Sequence, residues 1–590
     1  MVKQIQRIQE KKRYFSDRYL LLISMLYSFG IFWVVYFFSY PSWETSDDFL
    51  ISGILQGISG EGSPYTLVVG YLLSWLIYHL QILVPQLNWL TVFELFSVWI
   101  SFSFLNWFFI RRRNIEGYAA FILFPLLFEI SFYTSLNYTR SACILSFTGL
   151  MLIWFFSSEK HNISGIVCGM VLFLLGSLFR FACIYMGIPY VGILVVKHYW
   201  KNRKTFWKEK YKGCLPIFLL LGTLAVSFSL YGVHKLKYQE FAEKTDYIEF
   251  NMARAKSYDY LPNSYEDYAA EFKDIGLSYN DYLMLKLSVI YDQYFSEELY
   301  KKIVRINFSE NESLDSKIEG VTARFWRNLV YYNQGKNNGM YNTFYLLFYL
   351  AVLSLAFLNK ENIFTYLCSV GGTAFFIIYF IWTGRFPPWV QGSLYLIAGF
   401  MLIYTILEGK VIIKYASAGR KRGIQCVSLF VGMTCMLVCA ISDPEKKIKI
   451  LEKKEIDLNL AEALEYMKHD PENIYLIDNF SGCPFPIMKV YGSLRGMEKN
   501  SWHNIMRVGS WYLKHPVLES QLKDIGLESP VHDLLNENIY LLTNTGFPYL
   551  EIYSTFFAEH YGEYIHAKKE SQWGDYAIYS IYTVEGEDLY

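Results

Sequence analysis

The sequence predicts a mainly α, polytopic membrane protein of about eleven spanning helices, with a small extracytoplasmic α/β domain at its C-terminus. Three observations predict it. Apolar residues make up 53% of the 590 and charged residues only 18%, where soluble domains run near ~45–50% and ~25%. The apolar excess is gathered into runs of about twenty residues, the length of helix that crosses a ~30 Å hydrocarbon core. Lys and Arg collect on alternate connections between these runs, as the preference of cationic flanks for the cytoplasm requires.

The clear runs are 19–39, 89–110, 116–134, 142–157, 163–179, 183–199, 214–232, 341–358, 363–382, 390–409 and 424–441. The first follows a basic N-terminus, is longer than a signal-peptide core and lacks a small-residue cleavage site, so it reads as a retained anchor. A further run, 65–84, decides the parity of the map. If it does not cross, the inner segments hold 23 basic residues, against three (Arg140, Arg180 and Arg385) at the short outer turns. If it crosses, 17 of the 23 move outside. The first map satisfies the charge rule, so 40–88 is one outer loop in which 45–59 and 65–84 are helices lying at the interface.

The same parity divides the chain into four parts. Residues 1–232 form an N-terminal transmembrane module, and 233–340 an outer, Tyr-rich and mostly helical insertion. Residues 341–441 form a second transmembrane module, and 442–590 an outer domain. In that last part 473–478 and 538–544 read as short buried strands and 576–584 as an alternating one, with helical pattern at 457–468 between them. The expected setting is the plasma membrane, with the N-terminus cytoplasmic and the C-terminal domain outside.

Several classes of function are excluded. No basic domain or basic–aromatic stripe stands apart for nucleic acid. Neither a GxxxxGK[ST] loop nor a GxGxxG turn is present, so a cytoplasmic nucleotide donor has no cradle. No HExxH or CxxC metal set occurs. Of nine cysteines only Cys483 lies in an outer segment, which leaves no disulfide framework there.

Chemistry is best sought in the first outer loop. Loop 40–88 has no Lys or Arg but carries Glu44, Asp47, Asp48 and Glu61. Acids in a first helical turn are an ordinary capping device. A carboxylate at the edge of low dielectric is also open to pKa tuning, as a general base needs. Arg140, Arg180 and Arg385 share that membrane face against the charge bias. One arginine there can snorkel, but three suit a bidentate clamp on a lipid phosphate. Glu94 and Glu129 fall within spans, as partners of those arginines or as interhelical hydrogen-bond formers.

This organisation resembles the GT-C superfamily of polytopic, lipid-phosphosugar-dependent glycosyltransferases. The carrying features are a basic-flanked span, a long outer loop opening Trp43-Glu44-Thr45-Ser46-Asp47-Asp48, an interfacial helix at 65–84, and a span ending in Arg111-Arg112-Arg113. More narrowly it is similar to bacterial multi-span proteins with an SDD-type first loop, whose GYNEFN-like motifs find a loose echo in Tyr247-Ile248-Glu249-Phe250-Asn251 and 276–281. It departs from the protein mannosyltransferases, whose loop carries Asp-Glu and a proline-rich HPP segment where this chain has Ser63-Pro64-Tyr65.

The resemblance implies inverting hexosyl transfer from a polyprenyl-phosphate sugar to an outer glycan, lipid or protein acceptor. Asp47 or Asp48 would be the base, the outer arginines would hold the lipid phosphate, and a divalent cation at Asp47 and Asp48 is left open. Adjacent helical side chains diverge by about 100°, so one acid serves the substrate, and the superfamily's habit favours Asp47. The rival readings are a polysaccharide or lipid transporter or flippase, which predicts ionisable residues along a mid-bilayer path, and a non-catalytic membrane scaffold.

The charge asymmetry generates a first prediction. A cysteine introduced near Asn479 should react with a membrane-impermeant reagent in intact cells. Labelling that appears only after lysis would overturn the eleven-span map.

Overall fold

The computed structural model describes residues 2–38, 42–160, 162–206, 214–258, 265–307, 360–383, 386–408, 458–478 and 494–584. The N-terminal part consists of α1 (Val2–Phe38), β1 (Ser42–Trp43), α2 (Ser46–Gln56), α3 (Tyr71–Leu83), α4 (Trp89–Ile110), α5 (Ile115–Thr134), β2 (Ser135–Leu136), α6 (Tyr138–Phe155), α7 (Ile163–Phe179), α8 (Ile184–Phe206) and α9 (Leu215–Ala242). Four short helices follow: α10 (Tyr247–Tyr258), α11 (Ala269–Asp274), α12 (Tyr279–Leu287) and α13 (Glu297–Asn307). The chain returns as α14 (Lys360–Trp382) and α15 (Pro388–Glu408).

Among the described residues, eight helices are long and apolar enough to cross a membrane. Helix α7 is equally apolar but spans only 17 residues. The expected spans at 341–358 and 424–441 lie outside the described residues.

Run 65–84 yields only α3, of 13 residues. At 1.5 Å per residue this gives about 20 Å of helix, well short of a ~30 Å hydrocarbon core. Helix α2 stops at Gln56 rather than 59 because Gly57 (φ +70°) takes the left-handed position that ends a helix. Helix α9 runs to Ala242, past the expected end at 232, so the insertion begins as its direct continuation.

Helix α6 is the post around which the others stand. Apolar on every face, it buries all 18 of its residues. Against α7 the two backbones nearly touch: a Cβ on Gly149 would lie 2.5 Å from the carbonyl oxygen of Gly169 and the amide of Phe173. Only glycine permits that approach, and small residues are what allow apolar helices to pack closely without water to drive them together.

The C-terminal part is a five-stranded mixed sheet of order β4-β3-β5-β7-β6. Strands β3 (Ile474–Ile477), β4 (Ile505–Arg507) and β5 (Ile539–Asn544) are parallel, while β7 (Tyr576–Thr583) runs antiparallel to β5 and to β6 (Ile565–Trp573). The three expected strands are β3, β5 and β7; β4 and β6 went unread. Helix Tyr549–His560 turns Tyr549, Ile552, Tyr553, Phe556 and Phe557 inward, a 3.6-residue stripe that makes it a cover for the sheet.

The insertion and the C-terminal domain, read from sequence as separate, share a seam. The amides of Ile290 and Tyr291 donate to the carbonyl oxygen of Val508 at 3.0 and 3.1 Å, and Asn280 Nδ2 donates to that of Ile552 at 3.0 Å. The same domain is laced to the segment between α1 and α4. The amides of Asn500 and Trp502 donate to the carbonyl oxygens of Gly57 and Ile58, each at 2.8 Å, and Gly496 donates to Gln86 at 2.8 Å.

The close approach of α6 and α7 predicts that Gly149→Ala lowers stability by about 1–3 kcal/mol through overpacking. A fall in the melting temperature of the detergent-purified protein checks it. A variant as stable as wild type would show that the helices are not pressed together there.

Candidate active site

Strand β1 pairs in parallel with β2, Ser42 against Ser135 and Trp43 against Leu136, and Glu44 N adds a bond to the carbonyl oxygen of Leu136 at 2.8 Å. This short ladder brings the start of the loop between α1 and α4 against the N-terminus of α6. Asn137 caps that helix, its side chain accepting from Thr139 N at 2.8 Å. The preceding orphan amide, Tyr138 N, is satisfied from across the ladder: it donates to Asp48 Oδ1 at 2.9 Å.

Asp48 is wholly buried. Its second oxygen accepts from Thr45 Oγ1 at 3.0 Å and from Asn137 Nδ2 at 3.1 Å. The Glu94 carboxyl also donates to it, and Glu94 accepts from Trp43 Nε1 at 3.2 Å. Burial pushes the Asp48 carboxyl up to about 7, opposed by the donors from Glu94, Tyr138 and Thr45. Asp48 therefore ties these elements together from a buried position.

Asp47, one residue earlier, is half-buried and takes a different partner: Trp511 Nε1 of the C-terminal domain donates to its Oδ1 at 2.9 Å. The two acids are divided, as their helical angle requires. Neighbouring bonds hold the domain in place. His515 is fully buried, with Nε2 donating to the carbonyl oxygen of Tyr65 at 2.8 Å and Nδ1 accepting from Val517 N at 3.2 Å. That pair of bonds assigns the neutral ring with its proton on Nε2. Burial holds it down to about 4.

The arginines separate too. Arg140 makes a bidentate pair with Glu44, Nε to Oε2 at 2.5 Å and Nη2 to Oε1 at 2.8 Å. Its guanidinium lies over the Phe132 ring at 5.0 Å and against Gly392, where a Cβ would come within 3.3 Å. Its charge is committed within the protein.

Arg180 sits in the extended link between α7 and α8, where Nη1 donates to Thr139 Oγ1 at 2.7 Å and to the Tyr138 hydroxyl at 3.3 Å. The charge of Asp47 reaches it. Arg180 also lines a cavity of about 340 Å³ together with Gly70, Tyr185, Ser227, Tyr231 and His234. Arg140 and Arg180 thus both stand at the N-terminus of α6 but on different partners, while Arg385 lies outside the described residues.

Of the two acids within spans, Glu94 belongs to this site through Asp48. Glu129 meets neither Arg140 nor Arg180: it accepts from Ser28 Oγ, joining α5 to α1. The oxygens of Asp48 face N–H and O–H donors, and Asp47 Oδ1 faces an indole N–H. One Asp–Glu–His group with ligand-like spacing occurs among the described residues, at Asp281, Glu559 and His560. There the Asp281 oxygens already meet Ser278 N, Tyr294 OH and His560 Nε2 across the insertion–domain seam.

Trp511, Asn137 and Thr45 were not read from sequence. Asn137 had a signal, an Asn immediately before a helical run. Trp511 had none, because its partner is 464 positions away.

This division of labour predicts that Asp48→Asn costs about 1–3 kcal/mol of stability, since the amide presents N–H to the buried donors. Asp47→Asn, at a half-buried site, should cost little. Thermal unfolding of the two variants side by side checks it, and equal losses would contradict it.

No protein-family model, no curated protein and no solved structure matches this chain.

Proposed function

We propose that the protein is an integral membrane glycosyltransferase of the GT-C type, passing a sugar from a polyprenyl-phosphate carrier to an acceptor hydroxyl on the outer face. One observation carries the reading: half-exposed Asp47, next to the acid that binds Tyr138 N, and Arg180, which bonds Tyr138 and Thr139 and lines a cavity of about 340 Å³, are gathered at the N-terminus of one helix, α6. A carboxylate and a guanidinium at one helix end, the guanidinium lining a cavity, provide the two charges that sugar transfer from a lipid phosphate consumes.

In this reading the acceptor oxygen attacks the anomeric carbon and its proton passes to Asp47. The bond from that carbon to the phosphate oxygen breaks, and the phosphate leaves with the electron pair. Arg180 offsets the charge that grows on the leaving oxygen, as a fixed donor does best in a site of low dielectric. A phosphate leaves readily at neutral pH, so a single carboxylate base suffices, and the sugar inverts. Arg140 acts indirectly, by pinning Glu44 and the loop that bears Asp47. Arg385 follows α14, the other expected clamp position. The sidedness that the chemistry requires is the one predicted by the basic residues, with the N-terminus cytoplasmic and the C-terminal domain outside.

Transfer from a radiolabelled polyprenyl-phosphate sugar by the purified protein tests the reading. Asp47→Asn should lose roughly 10²–10⁴-fold in turnover, the usual worth of a general base, with folded protein recovered in normal amount. Arg180→Ala should lower turnover more than Arg140→Lys does. Full activity in Asp47→Asn would end the assignment of the base.

A further inference from the structure

We propose that Trp511 is the positioning residue of this site: its indole N–H orients the Asp47 carboxylate, so that the C-terminal domain completes a centre otherwise built by the first outer loop. The inference rests on the transferase reading and adds to it the role of the C-terminal domain.

Trp511 is buried, and its N–H reaches Asp47 Oδ1 at 2.9 Å. It stands in a turn of unusual backbone. Ser510 (φ 88°) and Lys514 (φ 63°), on either side of it, both adopt the left-handed conformation that non-glycine residues avoid. Such conformations persist where surrounding contacts over-determine them, and they gather where a side chain must be aimed.

The contacts are on hand. Tyr512 is buried and lines one small pocket with Ser59, and His515 donates to the carbonyl oxygen of Tyr65. Within one strained turn, then, three side chains reach three points of the same outer loop: Asp47, Ser59 and Tyr65. Two of them dock the domain. The third, Trp511, meets the acid assigned as base. An N–H donated to a carboxylate favours its ionised form and holds it to one rotamer, both of which a base requires.

The test uses the full-length protein and Trp511→Phe, which keeps an aromatic ring and removes the N–H. Turnover should fall about 10- to 100-fold, the worth of a hydrogen bond to a charged group. The donor KM should stay nearly constant and the acidic limb of the pH–rate profile should move to higher pH. Resistance of residues 494–584 to added protease should be unchanged. His515→Ala, which removes a docking bond and the cap of helix Pro516–Ile525 but leaves the Trp511 N–H in place, should raise protease sensitivity while leaving the acidic limb where it is.

A Trp511→Phe enzyme with wild-type turnover and pH profile, beside an inactive Asp47→Asn, overturns the inference and leaves the transferase reading standing. If Asp47→Asn is itself active, the transferase reading falls. The contact is then judged by melting temperatures of the two single variants and the double. Non-additive losses support the pairing of Trp511 with Asp47, and additive losses overturn it.

Discussion

The carboxylate of Asp48, buried at the N-terminus of α6, is the constraint on which the rest of the site depends. It accepts from the helix's own first amide, from the residue that caps the helix, and from Thr45 of its own loop. A negative group at a helix N-terminus is favourable for the same reason that the orphan amides there need partners. Because α6 is also the most buried helix, whatever is tied to its end inherits its rigidity. The loop between α1 and α4 is tied there by Asp48, by the β1–β2 ladder and by the pair of Glu44 with Arg140.

Fixing Asp48 fixes Asp47. Adjacent positions on one helix cannot point the same way, so an inward Asp48 turns its neighbour toward the C-terminal domain and Arg180. The environments then differ: one acid is buried among donors from α6 and its own loop, the other takes an indole N–H at a half-open surface. The site joins three stretches of chain far apart in sequence, and the C-terminal domain is part of it rather than an appendage.

Much of this was legible in the sequence, and what was missed has physical reasons. Long apolar runs announced the helices because length and composition alone satisfy the bilayer. Run 65–84 was separable from them by charge parity, and it gives a helix of only 13 residues. Asp47 and Asp48 stood out as acids in a loop without cations. Their helical angle said that they would part, but not what each would meet, because that depends on Asn137 and Trp511, 89 and 464 positions away.

Arg140 and Arg180 looked alike in sequence. They differ because Glu44 reaches only the first. Strand β6 escaped notice because IHAKKESQW is polar and exposed on nearly every residue; its one signal was the two-residue turn Gly574-Asp575 leading into β7. Strand β4, three residues long, is defined by its neighbour in the sheet and had no pattern to show.

The central claim is that one buried carboxylate joins two segments ninety residues apart. Amide hydrogen exchange of the purified protein, wild type beside Asp48→Ala, tests it most directly. Residues 42–49 and 135–141 should lose protection together, with Tyr138 among them, while the middle of α6 stays protected. Unchanged exchange at 135–141, or a loss confined to 42–49, would contradict the account.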